Sequence, residues 1–143
     1  MNRLYILLFL VISIEAYSNH NHVTDTISYW KVYNGGKLIK EGNVFDIGPK
    51  ILLKKAVIRS VDSLNVKYFD DTPCINCKGA LTIKSEQGKV IKIIGNTISN
   101  YDFKIKTTDL QVLAFKNRNS ILRFYYKEDS IQDEILLFEI EIR

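Results

Sequence analysis

The chain has 143 residues with a formal net charge of +4, 46% hydrophobic and 25% charged. That length holds one domain, and the balance excludes wholesale disorder. Two Cys and two His exclude a disulfide-dense miniature scaffold and a four-Cys zinc site, and leave little for His-based catalysis.

Met1 to Ser18 carries the three parts of a secretory signal peptide. Arg3 supplies the positive start, Leu4 to Ile14 is apolar except for Ser13, and Ala16 and Ser18 put small residues at the −3 and −1 positions. An apolar helix of that length reaches only about 16 Å against about 30 Å of hydrocarbon, so a retained anchor fits less well. The expected organisation is a signal peptide at 1–18, a loose polar tail at 19–25 and one domain at 26–143. No later stretch approaches about 20 apolar residues, so no transmembrane span is expected after cleavage. The location expected is extracytoplasmic: periplasm, cell surface or secreted. The absence of any Asn-x-Ser/Thr triplet favours a bacterial envelope over a glycosylated eukaryotic setting.

Short strands follow in sequence. Ile27 to Tyr33 and Lys37 to Glu41 flank Asn34-Gly35-Gly36, a hairpin signal because Asn and Gly tolerate positive φ. Residues 42–50 read as a loop. Ile51 to Val61 is ambiguous, and Ala56-Val57-Ile58 favours a strand. Leu64 to Phe69, Ala80 to Ser85 and Val90 to Ile94 come next. Phe103, Ile105 and Thr107 alternate with Asp102, Lys104 and Lys106, the clearest half-buried strand. Leu110 to Phe115 and Ile121 to Tyr126 read as a hairpin about Asn117 to Ser120, and Ile135 to Ile142 closes the chain. About nine strands at this spacing, without convincing amphipathic helices, predict an all-β, antiparallel β-sandwich. A small antiparallel β-barrel is the alternative. The strand count fits an immunoglobulin-like architecture, although the antibody Cys…Trp…Cys spacing is absent. Trp30 and Phe103 are the expected core anchors.

The local motif is Thr72-Pro73-Cys74-Ile75-Asn76-Cys77-Lys78-Gly79. A disulfide between Cys74 and Cys77 is expected, because the signal peptide sends the chain to an oxidising compartment. Two other readings stay open. A redox pair usually sits at a helix N-terminus, and none is apparent here. A zinc site needs two further ligands, and the only His are His20 and His22 in the tail. His-x-His near a free amino terminus also suits copper or nickel, but a polar tail accounts for it.

No phosphate loop, G-x-S-x-G, H-E-x-x-H or calcium-loop spacing occurs. Asp70, Asp71, Glu128, Asp129, Asp133 and Glu134 fall in predicted loops and could in principle serve a carboxylate-pair glycosidase, but acidic loop residues on a secreted domain are usually just solvated. The expectation is therefore no enzyme, no cofactor and no metal. Lys84, Lys92, Lys104 and Lys106 form a basic stripe if their strands are neighbours, but the aromatic interleaving of a nucleic-acid surface is missing. Tyr29, Tyr33, Tyr125 and Tyr126 sit on strands and are candidate interface residues, since exposed Tyr offers large area at small entropic cost. The last strand, with Leu137 opposite Phe138, is a candidate sheet edge for a partner strand. These features predict a non-enzymatic secreted or periplasmic sandwich that binds another macromolecule, with a protein partner in an envelope complex. Rival readings are a small-ligand or glycan carrier and a thiol or metal protein built on the Cys74–Cys77 loop.

Overall fold

The structure is a computed structural model and describes residues 27–59, 62–71, 76–96, 101–116 and 121–143. The signal-peptide and tail readings, with His20 and His22, lie outside these residues.

Nine strands and two helices are described: β1 (Tyr29–Asn34), β2 (Lys37–Asn43), β3 (Lys50–Leu53), α1 (Lys55–Arg59), β4 (Ser63–Phe69), β5 (Gly79–Ser85), β6 (Val90–Asn96), β7 (Asp102–Lys106), α2 (Thr107–Lys116), β8 (Ile121–Glu128) and β9 (Ile135–Ile142). They form a four-stranded sheet, β2-β1-β4-β7, and a five-stranded sheet, β3-β9-β8-β5-β6. The sheets do not close into a barrel, so the sandwich expectation holds and the barrel alternative does not. All pairings are antiparallel except β3 with β9. The order β1-β4-β7 and β6-β5-β8-β9 is that of strands A-B-E and C′-C-F-G in immunoglobulin-type sandwiches. β2 and β3 are additions, one widening each sheet.

Alternation builds the core. Trp30, Val32, Leu64, Val66, Phe103 and Ile105 are buried from the four-stranded sheet, while Lys31, Asn65, Lys67 and Lys104 fall on its outer face. Leu81, Ile83, Phe124, Tyr126, Phe138 and Ile140 meet them from the other sheet. Aromatic rings line the interface: Trp30 lies 5.1 Å from Phe138 of the opposite sheet between centroids, and within that sheet Phe138 stacks on Phe124 at 4.7 Å. The hairpin between β1 and β2 turns on Gly35 and Gly36, both at positive φ (56° and 83°), as the primed two-residue turn demands. Gly42 is required for another reason. A Cβ there would stand 2.6 Å from both the Trp30 ring and the Asp46 carboxylate.

Three expectations about elements are corrected. Leu110 to Phe115 belongs to α2, not to a strand. Leu110 is fully buried and Leu113 half-buried, a spacing of three that suits one helix face, and Val112 points to solvent. Asp109 sits in the first turn, where a carboxylate complements the helix dipole. Ala56 and Val57 likewise lie in α1 after the short β3. The last strand is not an edge, because β9 runs between β3 and β8. A register shift between Phe124 and Tyr125 leaves Leu137 as the extra residue opposite β8, so Leu137 and Phe138 are both buried. The lysine stripe also dissolves. Lys84 and Lys92 lie on the five-stranded sheet and Lys104 and Lys106 on the other. Lys84 is bonded to Glu134, and Lys92 to Asp109 at 2.6 Å.

The sandwich has two unlike ends. The ends of β2, β4, β6 and β8 and the starts of β3, β5, β7 and β9 meet at one, here the loop end, and the other carries α1 and α2, which touch each other.

Candidate functional site

The four candidate tyrosines do not share a surface. Tyr29 and Tyr33 lie on the outer face of the four-stranded sheet, and Tyr125 lies on the opposite outer face beneath Lys84 Nζ, 4.6 Å from the ring centroid. Tyr126 is fully buried, which removes it from any interface. β-alternation decides this: Tyr125 and Tyr126 are neighbours and must face opposite ways. Cys77 is half-buried and has no free thiol; Cys74 lies outside the described residues.

The most organised polar group sits at the loop end. Glu128, the last residue of β8, is buried. The Tyr126 and Tyr101 hydroxyls donate to its Oε2 at 2.9 and 3.1 Å, and the Ser130 hydroxyl donates to Oε1. The Tyr68 ring stacks on Tyr126 at 3.9 Å, and Tyr101 meets both edge-on. Gly79, just after the Cys77 loop, makes room for this packing. A Cβ there would lie 3.1 Å from Tyr101 Cδ1 and from Tyr126 Oη. Ser28 Oγ lies 2.9 Å from Asp70 Oδ1 and accepts the Asp71 N–H at 3.3 Å, tying the start of β1 to the end of β4. Lys78 N–H donates to the Asp129 carboxylate at 3.3 Å. Of the six carboxylates, Glu128 is thus committed to three hydroxyls, and its chemistry is that of a clamp joining β8, the lead into β7 and the β8–β9 turn.

The clamp disfavours phenolates. Burial pushes the Tyr68 hydroxyl up to about 12, with Asp70, Glu128 and Asp71 adding and the Ser28 hydrogen bond opposing. Tyr126 and Tyr101 are raised as well, by burial first and then by Glu128. A folded pKa raised above the unfolded value of 10 leaves stability intact below pH 10 and removes it as pH climbs toward 12. A phenolate absorbance titration, with the fold followed in parallel, checks this. The Tyr68 group should ionise only together with loss of the fold, and a single smooth titration of all tyrosines near pH 10 would contradict the clamp.

Beside it lies an apolar group that sequence reasoning missed. Phe45 is 75% exposed and Ile47 fully exposed. Their loop is nonetheless tightly built. Asn43 N–H donates to Asp46 Oδ2 at 2.7 Å, Phe45 N–H donates to Asn43 Oδ1 at 2.8 Å, and Gly48, at φ 46°, packs against Leu136. Val44 N–H bonds the Ser28 carbonyl at 3.1 Å, which sets Phe45 next to the start of β1. There Tyr29 stacks on Phe69 at 4.6 Å, both exposed. The missed signal was Phe-Asp-Ile inside a segment that otherwise reads as a turn. Rigid exposed aromatic and aliphatic side chains are what protein interfaces use as anchors.

Among the described residues, no group of three or more His, Cys, Asp or Glu is placed to hold a metal ion, and no helix is long and apolar enough to cross a membrane. No family model matches this sequence, and no curated protein matches it significantly.

Proposed function

We propose that this chain is an exported, non-enzymatic β-sandwich that binds another protein through its loop end, as an accessory subunit of an envelope assembly. The observation that carries the reading is the Phe45–Ile47 loop, two large apolar side chains held in water by a hydrogen-bonded turn beside the exposed Tyr29–Phe69 stack. Exposing such groups on a rigid frame has little use for folding and suits recognition. The Glu128 clamp fixes the frame, and a Cys74–Cys77 disulfide would fix the neighbouring loop. Export is supported by the signal-like Met1 to Ser18.

The test is parallel affinity capture from the native envelope with the unmodified protein and with a Phe45→Ser, Ile47→Ser double variant. A stoichiometric protein partner is expected with the first, and at least about tenfold less with the second at unchanged thermal stability, since anchor truncation costs about 2 kcal/mol or more. Equal capture by both would reject the loop end as the binding surface. A bound lipid or glycan in native mass spectra, with no protein partner, would shift the reading to a carrier.

A further inference from the structure

We propose that the two ends of the sandwich are complementary, so that the loop end of one copy docks on the helix end of a second copy, head to tail. The charges are sorted by end, although they are mixed along the sequence. At the loop end, counting the described loops and strand-end residues, Asp46, Asp70, Asp71, Asp102, Asp129, Asp133 and Glu134 stand against Lys50 and Lys78. Among the described side chains at the helix end, Lys37, Lys54, Lys55, Lys89, Lys106 and Arg143 stand against Asp62, Glu86 and Asp109. Several of these groups are engaged within the molecule: Glu134 is bonded to Lys84, Asp109 to Lys92 and Arg143 to Glu141, and Asp46, Asp70 and Asp129 accept hydrogen bonds. None of these pairings reverses the sign of its end.

Each end also presents exposed apolar side chains. Phe45 and Ile47 are exposed at the loop end, and Val57 of α1 and Val112 of α2 are exposed at the helix end. Exposed apolar side chains on two surfaces of opposite sign are what a specific protein contact uses, with the charges steering and orienting the approach. The two patches lie at opposite ends of one domain. The contact is therefore heterologous, and its repetition extends into an open chain of copies rather than closing as a two-fold pair. This inference rests on the loop end being the docking surface proposed above, and it names the occupant when no other partner is present.

Sedimentation velocity of the purified protein alone tests it. At low ionic strength the protein is expected to associate with rising concentration, and salt at roughly 0.5 M should weaken that association about tenfold or more, because exposed charges are then screened within a few ångström. This measurement needs no variant. Two charge reversals follow, Asp129→Lys with Asp133→Lys at the loop end and Lys54→Glu with Lys89→Glu at the helix end. Each double variant alone should sediment as a monomer, and an equimolar mixture of the two should associate again. An unmodified protein that stays monomeric at low salt, or an association that survives both reversals, would overturn the proposal. Partner capture is read separately, so self-association without a captured partner would reject the proposed function and leave this contact standing, and the converse holds too.

Discussion

Replacing Trp30 with alanine should destabilise the fold by about 3–5 kcal/mol, the range for emptying a large aromatic from a packed core. Trp30 has no exposed surface, lies 5.1 Å from Phe138 across the sheets and fills the space beneath Gly42. Its indole N–H, however, is buried and has no hydrogen-bond partner among the described residues. An unmet buried donor costs about 1–3 kcal/mol, so removing it returns part of what a smaller ring loses in contact. Trp30→Phe is therefore expected to cost only about 1 kcal/mol, far less than the alanine change. Urea denaturation followed by far-ultraviolet circular dichroism measures both variants on one scale. As the only tryptophan of the chain, Trp30 also reports on unfolding of the unmodified protein by its emission. Equal costs for the two substitutions would mean that the indole nitrogen is well served in the folded protein.

Glu128→Ala should cost about 3 kcal/mol or more, because hydrogen bonds to a charged acceptor contribute about 1.5–3 kcal/mol each and water cannot replace all of them. Tyr101 and Ser130 reach solvent and can rehydrate, whereas Tyr126 is fully buried and its hydroxyl would be left without an acceptor. This makes the effect conditional on its neighbour. In a Tyr126→Phe background the Glu128→Ala penalty should fall by about 1–2 kcal/mol, the signature of two groups in one network. A double-mutant cycle by chemical denaturation reads that coupling, and strictly additive costs would show that the carboxylate and the phenol do not depend on each other.

Much of the fold was legible because β-structure writes itself into sequence with a period of two. Phe103 and Ile105 against Lys104 and Lys106, or Leu64, Val66 and Tyr68 against Asn65 and Lys67, identify both the strand and its buried face. The helix at Thr107–Lys116 was not legible in the same way. Leu110 to Phe115 is a short apolar run that either period accommodates, and the Leu110–Leu113 spacing with Asp109 before it becomes decisive only once the run has a core to face. Leu137 was misplaced because strict alternation ignores bulges, and a bulge is visible only in the pairing of two strands. At the candidate site, Glu128 looked like one loop acid among six. Two of its donors, Tyr126 and Ser130, lie two residues away, but the third is Tyr101, and the burial that commits the carboxylate to them comes from strands far apart in the chain. The exposure of Phe45 and Ile47 was hidden for the opposite reason, since apolar residues in a turn-rich segment usually tuck inward.

By itself the sequence determined the all-β class, the positions of most strands, the Asn34-Gly35-Gly36 hairpin and the burial of Trp30 and Phe103. All of these follow from short-range rules: side-chain alternation, the backbone freedom of glycine and the transfer of apolar surface out of water. Only the tertiary structure decided which strands are neighbours, that β9 is interior and that Tyr126 faces the core while Tyr125 faces out. It also decided that Glu128 gathers three hydroxyls and that acids and bases separate to opposite ends. These depend on residues far apart in the chain meeting across two sheets, and interactions at that separation leave no period or spacing along the sequence from which to read them.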